Sequence, residues 1–230
     1  MSADVCEEFV SFPSGDLRLS GVLAYPEQTA PRYAALICAP HPNFAGNMEN
    51  NLVVALAREF SAHAMTLRFD YRGIGNSEIR LPVEGSVFDY WDELEQSKDY
   101  AAPLADIAAA AAALRGYAHG LPLAILGYSF GSIVGLQSGM ELDGVRALVG
   151  LAPPLGMYPF DFLSACRVPC LLLSGDGDFV FSADESARLK SVWSPSVEQV
   201  VISGEDHFFR DSETAVCARV RTFVERGMNR

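Results

Sequence analysis

The sequence predicts an α/β fold in which a mostly parallel central sheet of about eight strands carries helices on both faces. Two observations predict it. Two strand-like segments, 8–12 and 17–25, flank a turn near the start, and apolar runs then alternate with segments of helical spacing. A length of 230 residues suits one α/β domain without a linker or repeat, so we predict a single domain, 1–230.

The predicted elements follow one another in a regular order. Segment 13–16 reads P-S-G-D, a turn signal that makes the first two strands a β-hairpin. The later predicted strands are apolar runs suited to burial on both faces, and they span 33–39, 64–69, 121–126, 145–151, 168–174 and 197–202. The predicted helices span 48–62, 101–114, 130–140, 183–190 and 212–226.

Segment 81–100 interrupts this order. It is rich in acidic and aromatic residues and is longer than a normal connection between a strand and a helix. Connections of this length are usually functional or mobile, so we predict a short cap insertion over the pocket. The alternative is a helix packed on the surface of the domain.

Composition and charge limit the partners. Half of the residues are hydrophobic and a fifth are charged, as in a globular chain. A net charge of −12 argues against nucleic acid or an anionic membrane as the main partner. The N-terminus lacks a signal pattern and the five cysteines are scattered, so we expect a cytoplasmic protein with reduced thiols. The oligomeric state, a homodimer included, stays open.

A nucleophile motif follows the predicted strand 121–126. Segment 127–131 reads G-x-S-x-G and precedes a predicted helix, which is the context in which this motif carries a catalytic serine. The sharp turn exposes the hydroxyl of Ser129, and the flanking glycines let the backbone come close. The helix directs its N-terminal N–H groups at the site, which favours a developing negative charge. The alternative is a purely structural turn.

A serine nucleophile needs a base and an acid, which follow it in the order Asp, His in this arrangement. His207 comes after the last predicted strand, at the edge where parallel sheets place their chemistry, and we predict it as the base. Two carboxylates, Asp176 and Asp178, follow the strand 168–174. Asp178 lies further along the loop, so we favour it as the residue that orients His207. Asp176 is the alternative, and it could instead shape the turn.

Two backbone amides should stabilise the oxyanion of a tetrahedral intermediate. We predict that one belongs to Phe130, the residue after the nucleophile. The second should come from the loop after the strand 33–39, where Pro40 and Pro42 have no N–H to donate. Asn43 is the best donor in this loop, and Phe44 is the next.

An acyl pocket should lie beside these residues. Segment 153–160 is apolar and aromatic and is predicted to line it, with simple packing as the alternative. His41 could contact the substrate, or its ring could instead support the loop in which it lies. The predicted substrate contacts are His41, Phe44, Tyr128, Leu155 and Met157.

These motifs together resemble the α/β-hydrolase superfamily, and more narrowly its small bacterial members that are carboxylesterase-like or dienelactone-hydrolase-like. Segment 41–50 resembles their H-P-x-x-x-G-x-M-x-N loop, and 68–77 resembles their R-F-[DN]-[FY]-R-G-x-G-x-S segment. The likeness spans nearly the whole chain, and departs from the family at Ala45, Asn47 and the long segment 81–100. It implies the α/β-hydrolase fold and acyl transfer to water without a metal or an organic cofactor.

The sequence therefore predicts a serine hydrolase that cleaves a carboxylic ester or thioester of a small molecule through an acyl-enzyme on Ser129. One alternative is an acyltransferase, cyclase or lyase that uses the same triad on a biosynthetic intermediate, since a sheltered site would exclude water. Another is a non-catalytic binding protein on the same scaffold, because fold does not fix function.

Overall fold

The computed structural model describes residues 4–229, which form an eight-stranded sheet flanked by helices. Short 3₁₀ turns cover Pro42–Phe44 and Asp161–Ala165. The strands are β1 (Val5–Ser14), β2 (Leu17–Pro26), β3 (Ala34–Cys38), β4 (Met65–Phe69), β5 (Leu123–Tyr128), β6 (Val145–Leu151), β7 (Cys170–Gly175) and β8 (Val197–Ile202). The α-helices are α1 (Asn51–Ser61), α2 (Val87–Ser97), α3 (Ala101–Tyr117), α4 (Phe130–Glu141), α5 (Ala183–Lys190) and α6 (Glu213–Met228).

The sheet confirms the predicted class. Its strand order is β1-β2-β4-β3-β5-β6-β7-β8. The first two strands form the predicted antiparallel hairpin, in which Phe9 pairs with Val22. Strand β2 also pairs with β4 in an antiparallel arrangement. Every remaining pair, from β4–β3 to β7–β8, is parallel. The sheet is therefore mostly parallel, with an antiparallel edge.

Helices cover the sheet and bury its central strands. Every residue of β3, β5 and β7 is buried, which requires a helical layer on both faces. The helices pack in two groups, α1 with α6 and α3 with α4. All five cysteines are free, and four of them are buried in this core. Among the described residues, no helix has both the length and the apolar character needed to cross a membrane.

The carboxyl ends of the parallel strands meet at one edge, and their loops carry the predicted site residues. Ser129 follows β5, Asp178 lies in the loop after β7, and His207 lies in the loop after β8. The sheet order sets these strands side by side or nearly so, with only β6 between β5 and β7. The fold thus assembles one site from segments far apart in the chain.

Segment 81–100 contains α2. The helix begins after Ser86, whose hydroxyl oxygen accepts the N–H of Asp89, a side-chain cap that stabilises a helix start. Its buried residues are Trp91 and Leu94, and it contacts the 3₁₀ turn Pro42–Phe44. The segment thus contains a helix that packs beside the loop after β3. Its role as a cap over the pocket stays a prediction.

Candidate active site

Ser129 lies on a sharp turn between β5 and α4, with φ of 54° and ψ of −118°. A backbone conformation of this kind costs on the order of 1–3 kcal/mol for a residue with a side chain. Two glycines make the turn possible. A Cβ added at Gly127 would lie 2.1 Å from the carbonyl oxygen of Gly131, and one at Gly131 would lie 2.3 Å from that of Cys38. Helix α4 therefore begins directly against the backbone of β3 and β5.

Replacing Gly131 tests this close approach. We expect Gly131→Ala to lower the free energy of unfolding by about 1–3 kcal/mol, because the methyl group would collide with fixed backbone oxygens. Gly116→Ala in α3 is a matched control, since nothing lies within 4 Å of its added Cβ. Because alanine has a higher helix propensity than glycine, Gly116→Ala should raise the free energy of unfolding by about 0.5–1 kcal/mol. Urea unfolding measures both, and a Gly131→Ala variant as stable as the wild type would contradict the packing described.

Three side chains form a continuous chain of hydrogen bonds at this edge. Oγ of Ser129 lies 3.1 Å from Nε2 of His207. Nδ1 of His207 lies 2.9 Å from both carboxylate oxygens of Asp178, and both of these side chains are buried. A carboxylate beside Nδ1 favours the tautomer of the ring whose proton lies on Nδ1. Nε2 is then free to accept the proton of the serine hydroxyl.

Backbone contacts hold this arrangement in place. The hydroxyl of Tyr128 donates to the carbonyl oxygen of His207 at 3.2 Å. The N–H of Val180 donates to Oδ1 of Asp178 at 2.9 Å. The first contact ties the loop after β8 to the turn that carries Ser129, and the second holds the Asp178 carboxylate within the loop after β7.

Asp176 has a different position. Its carboxylate accepts the N–H of Gly204 at 2.6 Å and the hydroxyl of Ser203 at 2.9 Å. These contacts, led by the Gly204 amide, hold the pKa of Asp176 below its usual value. The structure therefore brings Asp178 to His207 and uses Asp176 to join the two loops.

The predicted oxyanion donors differ in availability. Among the described residues, no acceptor binds the amide of Phe130, the first residue of α4. The N–H of Asn43 donates to Nδ1 of His41 at 3.2 Å, and that of Phe44 donates to the carbonyl oxygen of His41 at 2.9 Å. The amides of Asn43 and Phe44 therefore both have an acceptor in this conformation, and Asn43 as the second oxyanion donor, with Phe44 next, stays a prediction. Both amides are occupied because Pro42 starts a 3₁₀ turn and His41 caps it.

Known proteins share this fold. No family model matches the sequence. An uncharacterized protein of Rickettsia prowazekii (strain Madrid E) is 30% identical over 201 residues, which cover 81% of this chain and 76% of the relative. An α/β serine hydrolase homologue from Coxiella burnetii has a TM-score of 0.78 at 24% identity, covering 95% of this chain and 96% of that one. Dienelactone hydrolase from Anabaena variabilis has a TM-score of 0.74 at 17% identity, covering 96% and 98%.

The chain has the α/β-hydrolase fold. The fold predicted from its motifs is thereby confirmed. A further solved structure, a serine hydrolase of Xanthomonas campestris described as lacking a lid, has a TM-score of 0.76 at 22% identity and covers 96% of this chain and 94% of its own.

A cavity of about 260 Å³ opens beside Ser129. The described residues that line it include no lysine, arginine, aspartate or glutamate, and none from segment 81–100. The cavity is therefore apolar apart from a few hydrogen-bonding groups. Its lining residues are Pro40, His41, Phe44, Asn50, Tyr128, Ser129, Phe130, Pro154, Met157, Tyr158, Phe179, Val180, His207 and Phe208.

Four of the five predicted substrate contacts line this cavity, and the fifth, Leu155, does not. The N–H groups of Met157 and Tyr158 both donate to the carbonyl oxygen of Pro154, which makes a helical turn. Residues three and four apart share one side of such a turn, so Pro154, Met157 and Tyr158 face the cavity. Leu155 faces the other way and is buried in the core. Leu155 therefore does not line this cavity, and its role as a substrate contact stays an untested prediction.

The mouth of the cavity has aromatic residues that the sequence reasoning missed. Phe179 is 74% exposed, and its ring centroid lies 4.8 Å from that of His207 and 6.2 Å from that of Phe208. Phe44, which the sequence predicted as a substrate contact, is 76% exposed and also lines the cavity. A signal was present, because Phe179 and Phe208 directly follow Asp178 and His207 in the sequence.

Proposed function

We propose that this chain is a serine hydrolase that cleaves a carboxylic ester or thioester through an acyl-enzyme on Ser129. The observation that carries the proposal is the unbroken chain of hydrogen bonds from Ser129 through His207 to Asp178. A serine hydroxyl is a weak nucleophile unless an adjacent base removes its proton, and this arrangement supplies the base. The strained turn at Ser129 supports it further, because such strain clusters at functional sites.

In the proposed reaction, Oγ of Ser129 attacks the acyl carbonyl carbon while Nε2 of His207 takes its proton. Asp178 stabilises the resulting imidazolium through Nδ1–H. The imidazolium then protonates the leaving alcohol or thiol as its bond to the acyl carbon breaks. A water molecule, deprotonated by His207, attacks the acyl-enzyme and releases the acid and the free serine.

The developing oxyanion needs donors at the same edge. The amide of Phe130 lies at the N-terminus of α4, where the helix dipole favours negative charge. The amide of Asn43 is held by His41 through a long contact of 3.2 Å. A carbonyl oxygen that gains full negative charge is a stronger acceptor than a neutral imidazole nitrogen. We therefore propose that the Asn43 amide turns from His41 to the oxyanion as the charge develops.

The cavity favours an uncharged, apolar acyl group. Its lining offers no charged side chain to pair with a carboxylate or an ammonium group of a substrate. Burying such a group without a partner is costly. The exposed aromatic residues at the mouth extend the apolar surface outward, so longer uncharged acyl chains should gain contact with it.

A matched series of p-nitrophenyl esters tests this preference. From acetate to butyrate to hexanoate, each added methylene should raise kcat/KM about three- to fourfold, the value expected from ~0.8 kcal/mol per buried CH₂. The adipate half-ester has the hexanoate chain with a terminal carboxylate, and it should react roughly a hundredfold more slowly than hexanoate. Equal rates for hexanoate and the half-ester would contradict an uncharged acyl site.

Product analysis separates hydrolysis from acyl transfer. The mouth of the cavity is bordered by exposed side chains, so water has access to the acyl-enzyme. We expect the free acid as the only product in water, and also when glycerol is added as a competing alcohol. A glycerol ester as the main product would favour the acyltransferase alternative.

A further inference from the structure

His41 is a buried histidine that lies between the cavity and α2. It is 4% exposed, and its ring centroid lies 5.0 Å from that of Phe130 and 5.6 Å from that of Trp91. Burial among these rings lowers the pKa of His41, although the nearby Glu95 carboxylate opposes the shift. Burial therefore favours the neutral imidazole, which carries one N–H.

The position of that N–H follows from the hydrogen bonds. Nδ1 of His41 accepts the N–H of Asn43, so the proton of the neutral ring belongs on Nε2. Nε2 is buried and has no hydrogen-bond partner among the described residues. It faces Oε2 of Glu95 at 3.9 Å, just beyond hydrogen-bond distance. A buried donor without an acceptor is unfavourable unless a charge nearby compensates it.

Glu95 is held firmly in this place. The hydroxyl of Tyr158 donates to its Oε1 at 2.8 Å, and the hydroxyl of Tyr100 donates to its Oε2 at 3.3 Å. Lys98 forms an ion pair with the same carboxylate and lies 4.4 Å from the centre of the Tyr158 ring. Segment 81–100 thus presents a fixed carboxylate to the protonated nitrogen of a histidine in the oxyanion loop.

We propose that Glu95 is a positioning residue that acts through His41 on the Asn43 amide. Its carboxylate favours the Nε2–H tautomer, and that tautomer leaves Nδ1 free to accept the Asn43 N–H. In the other tautomer two N–H groups would face each other across this contact, and the turn Pro42–Phe44 would have to shift. The effect on rate rests on the proposed function, but the tautomer is a property of the resting protein.

The test compares Glu95→Gln with Glu93→Gln, an exposed glutamate on the same helix. Long-range ¹H–¹⁵N spectra report the tautomer of His41, whose signals are assigned with a His41→Gln sample. We expect Nε2–H in the wild type and in Glu93→Gln. Glu95→Gln should convert part of His41 to Nδ1–H and lower kcat for p-nitrophenyl hexanoate roughly tenfold, with KM changed less than about twofold. Glu95→Asp, which retains the carboxylate, should retain the wild-type tautomer.

Two results would overturn the inference. One is a wild-type His41 in the Nδ1–H form. The other is a Glu95→Gln variant with the wild-type tautomer and an unchanged kcat. If the wild type hydrolyses no ester while Glu95→Gln still changes the tautomer, the proposed function fails and the tautomer control by Glu95 stands. If hydrolysis is normal and Glu95→Gln matches Glu93→Gln in both readouts, the inference alone fails.

Discussion

His207→Ala should lower kcat for p-nitrophenyl hexanoate by roughly four to six orders of magnitude. Nε2 of His207 lies 3.1 Å from Oγ of Ser129, and its removal leaves the hydroxyl without a base in the attacking step and without an acid for the leaving group. KM should change far less, because the apolar lining of the cavity is retained. Steady-state kinetics with freshly purified variant measures both constants.

His119→Ala is the matched control for this loss. His119 is exposed and lies in the turn between α3 and β5, away from the site. The His119→Ala variant should retain the wild-type kcat and KM. A His207→Ala variant that keeps about a tenth of the wild-type kcat would show that another group activates Ser129.

Asp178→Asn should lower kcat by roughly ten-thousandfold. An asparagine amide can donate as well as accept, so it no longer requires the proton to lie on Nδ1 of His207, and it cannot stabilise the imidazolium by charge. The fold should tolerate the change, because asparagine has nearly the same shape. Both carboxylate oxygens of Asp178 lie 2.9 Å from Nδ1, which is why the loss should be large.

Asp176→Asn separates the two carboxylates that the sequence offers. The Asp176 side chain binds Gly204 and Ser203, and it does not contact His207. We expect its substitution to leave kcat within about threefold of the wild type, with a small loss of stability typical of a lost hydrogen bond. The reverse pattern, a large loss with Asp176→Asn and a small one with Asp178→Asn, would assign the acid to Asp176.

The sequence predicted the fold because its signals are local and agree with one another. Alternating apolar runs and helical spacing indicate βαβ units, and a parallel sheet brings the ends of its strands to one edge. Knowing which residues follow β5, β7 and β8 was therefore enough to expect Ser129, Asp178 and His207 at one site. The structure brings these three side chains into hydrogen-bond contact.

The features that the sequence did not predict depend on contacts between distant segments or on the direction of a side chain. Leu155 and Met157 lie in the same apolar stretch, and only the turn at Pro154 decides which of them faces the cavity. The amide of Asn43 is occupied because a 3₁₀ turn places it against the ring of His41. The sequence does not distinguish Glu95 from the other acidic residues of segment 81–100. Only the packing of α2 brings Glu95 close to His41.

The central claim is that Ser129 is an activated nucleophile, and labelling with a fluorophosphonate tests it most directly. The reagent forms a covalent adduct with an activated serine, and intact mass spectrometry counts the adducts on the wild type, on Ser129→Ala and on Ser191→Ala, an exposed serine at the end of α5. We expect one adduct on the wild type and on Ser191→Ala, and none on Ser129→Ala. A folded wild type without an adduct, or a Ser129→Ala variant that still gains one, would contradict it.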